Sequence, residues 1–77
     1  MDLREVFATN LRRLRHERGL YQEDLAYSAD VNRTYVSRLE KGVSYAGLEI
    51  IGKLANVLEV EAAELLKLPQ RKVRRGR

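Results

Sequence analysis

Asn32, Arg33, Thr34, Ser37 and Arg38 fall within one short stretch, and their side chains suit the edges and backbone of a nucleic acid. A guanidinium such as that of Arg33 has a fork of donors that can bond guanine O6 and N7 together. One well-made pair of this kind is worth about 1–3 kcal/mol of discrimination against other bases. Thr34 can offer a methyl to thymine or a hydroxyl to a donor or acceptor. Arg38, one helical turn later, has the reach for a base or a phosphate. Ser37 and Asn32 suit backbone or phosphate contacts, and Asn32 is also a good helix cap. On an arbitrary surface these residues would be a solvated polar face, so their role depends on what holds them in line.

The stretch Gln22 to Leu39 reads as two short helices and a tight turn. Gln22 to Ala29 forms the first helix, Asp30-Val31-Asn32 the turn, and Arg33 to about Glu40 the second. Leu25, Ala29, Val31, Val36 and Leu39 fit two helices crossing steeply over one core, with small Ala26 where they approach. Asp30 occupies the turn position that needs a left-handed backbone, which glycine adopts most cheaply and Asp or Asn next. This is the pattern of a helix-turn-helix whose second helix reads DNA. Tyr35 on that helix can lie against the sugar–phosphate wall or pack on Tyr21 or Tyr27.

The flanking chain supplies further helices. Asp2 can cap the first, and Leu3, Val6, Phe7, Leu11 and Leu14 recur at helical spacing as its buried stripe. Gly19 stops it with a residue suited to a left-handed C-terminal conformation. Tyr21 is a poor cap for the next helix, leaving Glu23 and Asp24 to favour the positive end of its dipole. Lys41-Gly42 ends the recognition helix, and Val43 to Gly47 form a loop. Leu48, Ile51, Leu54, Ala55 and Leu58 stripe a helix from about Gly47 to Leu58. Ala62 to Lys67 makes a last turn or two before Pro69. The expected fold is all-α, a compact five-helix domain over residues 1–68 followed by a basic, disordered tail over 69–77.

Seventy-seven residues make one domain near the lower size limit for a self-sufficient core, so dimerisation would help it. The net charge is +4, yet five of the 15 basic residues lie in the tail between Arg71 and Arg77, leaving ten against 11 acidic ones. Affinity of the body for nucleic acid must then come from segregation of charge onto one face. The tail reads as a solvated charge run, an expression remnant or a DNA-contacting arm. There is no cysteine, no apolar run of membrane-spanning length and no signal-peptide pattern, so a cytoplasmic protein is expected. Enzymatic chemistry is not expected: there is one histidine, no glycine-rich phosphate loop and no carboxylate cluster with a base. His16, among arginines on a helix face, reads as an exposed residue. No cofactor, metal or small-molecule effector is indicated.

From about Phe7 to Leu66 the chain resembles the lambda-repressor/Cro-like (Xre) DNA-binding family. The matching residues are Leu11-Arg12-Arg13-Leu14-Arg15, Arg18-Gly19-Leu20, Gln22-Glu23-Asp24-Leu25-Ala26 and the run Val31 to Gly42. Leu48-Glu49, Leu54-Ala55, Glu59-Val60 and Glu64-Leu65-Leu66 complete them. The length and the segment Asn32 to Ser37 are also similar to restriction–modification controller proteins. The resemblance implies that Asn32, Arg33, Thr34 and Arg38 face bases, and that Gln22 contacts a phosphate and steadies the recognition helix. It also implies phosphate contacts from Lys41, Ser44 and Tyr45 after that helix, beside those of Ser37 and Tyr35. Arg15 and Glu40 match a charged pair joining the first helix to the end of the recognition helix. Tyr21 departs from the usual small polar residue, and Ala46-Gly47 from a common Pro-Ser or Pro-Thr pair.

The function these features lead to expect is sequence-specific regulation of transcription by a homodimer on a roughly palindromic operator, with the last two helices as the dimer surface. Ile50, Val57, Val60 and Leu66 are its candidate apolar contributors. The competing expectation is an antitoxin-like protein-interaction module using the same fold.

Overall fold

The computed structural model describes residues 2–68. The basic run between Arg71 and Arg77, expected as a disordered tail, lies outside the described residues.

The chain starts its first helix where a side chain can satisfy the orphaned amides. Asp2 accepts the Arg4 N–H at 2.9 Å, and α1 runs Leu3–Glu17. Its buried side carries Val6, Phe7, Ala8, Leu11 and Leu14. Leu3 departs from the expected stripe: it is 53% exposed, at the rim of an open cleft that it lines with Phe7, Tyr45, Ile51 and Leu66. Three further α-helices follow, α2 Gln22–Ala29, α3 Arg33–Glu40 and α4 Leu48–Leu58. Ala62–Leu66 then forms a 3-10 turn rather than a fifth α-helix. Its Glu64 N–H bonds back three residues to the Glu61 carbonyl. Five residues between an extended Glu61 and an extended Lys67 leave little room for an α-helix to propagate.

All four α-helices close the same way, with the residue past the stop in the left-handed region and the next N–H returning to the last turn. Gly19 and Gly42 do this at φ +68° and +75°. Asp30 and Glu59 do it at φ 58° and 59°, at the strain cost a side chain incurs there. The returning bonds are Leu20 N–H to Arg15, Val31 to Ala26, Val43 to Arg38 and Val60 to Ala55. Each sharp stop fixes the direction in which the next helix departs.

Leu11, Leu25, Val36, Leu39, Leu54, Leu58 and Leu65 are almost fully buried and draw every element onto one core. Each such side chain contributes about 1.5–3 kcal/mol on leaving water. Val31, Tyr35, Ile50, Val57 and Val60 pack at its edge, half-buried. Leu48, expected within the buried stripe of α4, is instead 86% exposed. It is the first residue of α4, and no other element extends over it. Among the described residues no helix is long and apolar enough to cross a membrane.

Candidate nucleic-acid interface

The angle of α3 is set from beneath by Ala26, Ala29, Val36 and Leu39, all buried between α2, α3 and the rest of the core. Asp30 in its left-handed conformation makes the turn between the two helices. Asn32 starts α3 with its Oδ1 accepting from the Thr34 N–H at 2.8 Å and the Tyr35 N–H at 3.3 Å. The Asn32 amide NH₂ has no partner among the described residues. Arg33, Thr34 and Arg38 are exposed and Ser37 is half-buried. No described residue pairs with the Arg33 guanidinium or the Thr34 hydroxyl. Arg38 differs, since its Nε donates to the Ser44 hydroxyl at 3.0 Å.

From behind, α3 is held by a buried charge cluster. Arg15 and Glu40, 8% and 4% exposed, form a two-pronged pair: Nε to Oε2 at 2.6 Å and Nη2 to Oε1 at 2.9 Å. Arg15 also donates from Nη1 to the Leu20 carbonyl at 2.8 Å. Half-buried Gln22 donates from Nε2 to Glu40 Oε1 at 2.9 Å, and its amide oxygen has no partner among the described residues. Arg12 donates to the Glu40 carbonyl. The first turn of α2 and the last turn of α3 therefore meet on one carboxylate, itself carried by a guanidinium of α1. A pair this enclosed adds little net energy over an apolar substitute but fixes geometry while both partners remain.

The loop after α3 packs on the same helix. The Tyr35 hydroxyl donates to the Tyr45 carbonyl at 2.7 Å, so Tyr35 does not pack on Tyr21 or Tyr27, which are 78% and 88% exposed. Arg4 lies over the Tyr45 ring at 4.7 Å and pairs with Asp2 at 2.9 Å. The hydrogen bonds from Arg4 hold the Asp2 carboxyl below the usual carboxylate range. Lys41 caps the C-terminus of α3 with an exposed side chain, Ser44 is half-buried and Tyr45 is exposed. At the other border, the Asp24 carboxylate accepts the Tyr21 N–H at 3.0 Å. The start of α2 thus has the carboxylate half of a capping box, a more specific compensation than a dipole effect.

Sequence reasoning missed three bracing residues. Asn10 is buried and donates from Nδ2 to the Leu65 and Lys67 carbonyls, both at 2.9 Å, while its Oδ1 accepts from Arg13 at 3.1 Å. A polar residue within an apolar helical stripe, beside Leu11 and Leu14, was the available clue. Arg12 and Arg4 stand among several arginines of α1 that nothing local tells apart, and they reach Glu40 and Tyr45, 28 and 41 positions away in the chain.

Comparison with known proteins agrees with this geometry. The family described as a helix-turn-helix domain matches residues 6–68. A hypothetical transcription factor of Neisseria meningitidis serogroup B is 41% identical over 73 residues, covering 95% of this chain and 69% of that protein. Control protein C.BamHI of Bacillus amyloliquefaciens is 33% identical over 66 residues, covering 84% and 82%. The crystal structure of the restriction-modification controller protein C.AhdI from Aeromonas hydrophila superposes with a TM-score of 0.78 at 40% identity, covering 80% of this chain and 94% of that one. On this fold and these likenesses, the chain belongs to the helix-turn-helix domain family of DNA-binding transcription regulators, of the lambda-repressor/Cro-like (Xre) kind that includes the restriction–modification controllers.

Proposed function

We propose that the chain is a sequence-specific regulator of transcription that binds double-stranded DNA as a homodimer, with α3 in the major groove. The observation that carries this reading is the exposed Arg33 and Thr34, whose side chains have no partner among the described residues, beside Arg38 on a helix braced through Glu40. In this reading Arg33, Thr34, Arg38 and the amide of Asn32 face bases. Gln22, Tyr35, Ser37, Lys41, Ser44 and Tyr45 flank them and meet phosphate, which orients the protein without encoding sequence. The basic run from Arg71 to Arg77 adds sequence-independent affinity through counterion release. The protein acts in the cytoplasm, where its DNA would lie.

One α3 covers too few base pairs to outcompete genomic sites, and a twofold pair separated by about 34–36 Å reads a roughly palindromic operator. Exposed Leu48 at the start of α4 and Leu66 in the 3-10 turn support a dimer surface there. Ile50, Val57 and Val60 contribute at its edge and also belong to the core. Selection of bound duplexes from random DNA, at a stated salt concentration, tests the proposal. The expected product is an inverted repeat whose half-sites lie about one helical turn apart. Charge reversal at Arg33 and Arg38 together should abolish its binding. Retained binding would refute the role of α3, and a protein that stays monomeric at high micromolar concentration would refute the dimer surface.

A further inference from the structure

We infer that the hydroxyl of Ser44 positions Arg38 and sets its base preference, while the phosphate contact assigned above falls to the Ser44 main-chain N–H, which alanine retains. The inference rests on the reading of α3 as the base-facing helix.

An exposed arginine is a long, flexible probe, and much of its pairing energy is lost in ordering it. Arg38 is exposed, yet its Nε–H is already given to the Ser44 hydroxyl at 3.0 Å. The main chain on both sides of Ser44 is itself tied to α3. On one side, Val43 N–H returns to the Arg38 carbonyl and Gly42 N–H to the Leu39 carbonyl, both at 3.2 Å. This closure is available because Gly42 stands at φ +75°. On the other side, the Tyr45 carbonyl is held by the Tyr35 hydroxyl at 2.7 Å, and Arg4 lies over the Tyr45 ring. Ser44 is thus a point on a loop clasped to the helix it serves.

The chemical consequence concerns which edge of the guanidinium remains. With Nε occupied, the side-on edge, Nε plus one Nη, can no longer present two free donors. The end-on pair Nη1 and Nη2 still can. These two donors match guanine O6 and N7. A guanidinium fixed at Nε therefore presents one recognition edge at lower ordering cost. Without Ser44 the same side chain is free to seek phosphate oxygens, which carry no sequence. Ser44 so turns Arg38 from a nonspecific cation into a reader of guanine.

The test uses the full chain, with duplexes built on the selected operator and varied at every position, at about 0.15 M salt. Arg38→Ala identifies the base pair beneath Arg38 as the one where discrimination is lost. Ser44→Ala should then lower guanine preference at that pair by about three- to tenfold, tenfold corresponding to about 1.4 kcal/mol. Affinity for duplexes already lacking that guanine should change less than twofold. Ser44→Thr, which keeps the hydroxyl, should retain the preference. In the Arg38→Ala background, Ser44→Ala should have no further effect. A uniform loss across all duplexes, present with or without Arg38, would make Ser44 a phosphate contact only and overturn the inference. So would an unchanged preference in Ser44→Ala, or no position at which Arg38→Ala alters discrimination. Full operator binding by Arg33→Ala together with Arg38→Ala would instead refute the α3 reading itself.

Discussion

Replacing Glu40 by alanine should destabilise the protein severely without redirecting it to a different operator. Glu40 is 4% exposed and accepts from Arg15 twice and from Gln22 once. Its loss leaves Nε and Nη2 of Arg15 without their carboxylate in a site only 8% exposed, and frees the Gln22 amide. Removing one partner of a buried pair costs about 3–5 kcal/mol. At about 0.05–0.15 kcal/mol per residue, a chain of 77 residues has about 4–12 kcal/mol in total, so one substitution removes a large share. The Leu20 carbonyl still accepts Nη1 of Arg15 at 2.8 Å, which favours the lower half of the range. Urea unfolding followed by helical circular dichroism, at fixed protein concentration because dimerisation contributes, gives the difference directly. A second variant separates the charge penalty from the packing deficit. Arg15→Met with Glu40→Leu removes both ions and should recover most of the stability, since an apolar pair of similar volume is often neutral. Glu40→Ala within 1 kcal/mol of the parent would refute the argument, as would a well-folded Glu40→Ala with altered sequence preference.

Three further outcomes follow from single features. Asn10→Ala should cost about 2 kcal/mol, by removing the donors to two carbonyls of the 3-10 segment, and should speed amide exchange there before it does so in α2 or α3. Asp30→Gly should raise stability by about 0.5–1 kcal/mol in urea unfolding, because glycine relieves the left-handed strain at φ 58°. Unchanged or lower stability would show that the Asp30 side chain contributes more than its strain costs. Removing residues 71–77 should weaken binding to all duplexes alike and flatten the salt dependence, by a slope of up to about 0.9 for each phosphate the arm neutralises; an unchanged slope would eliminate the arm.

The sequence alone determined where the α-helices begin and end, because those signals close within a few residues. Asp2 and Asn32 bond to amides two or three positions ahead, and Gly19 and Gly42 take the left-handed conformation their positions demand. It also determined that the chain is all helical and that Arg33, Thr34 and Arg38 share the polar side of a short helix. Periodicity was a weaker guide at helix ends. Leu3 and Leu48 continue an apolar spacing but begin their helices, where a stripe can outrun the core that would cover it.

The tertiary structure decided the interactions whose partners are distant in the chain. That Asn10 holds the 3-10 segment, that Arg12 reaches a main-chain carbonyl, and that Arg4 covers Tyr45 all depend on the angles between elements. No local spacing encodes them, because arginines on one helix are chemically alike until a neighbouring helix is placed beside them. The same holds for Arg38. Its type made it a candidate for DNA, but only the clasped loop brought the Ser44 hydroxyl within 3.0 Å of its Nε.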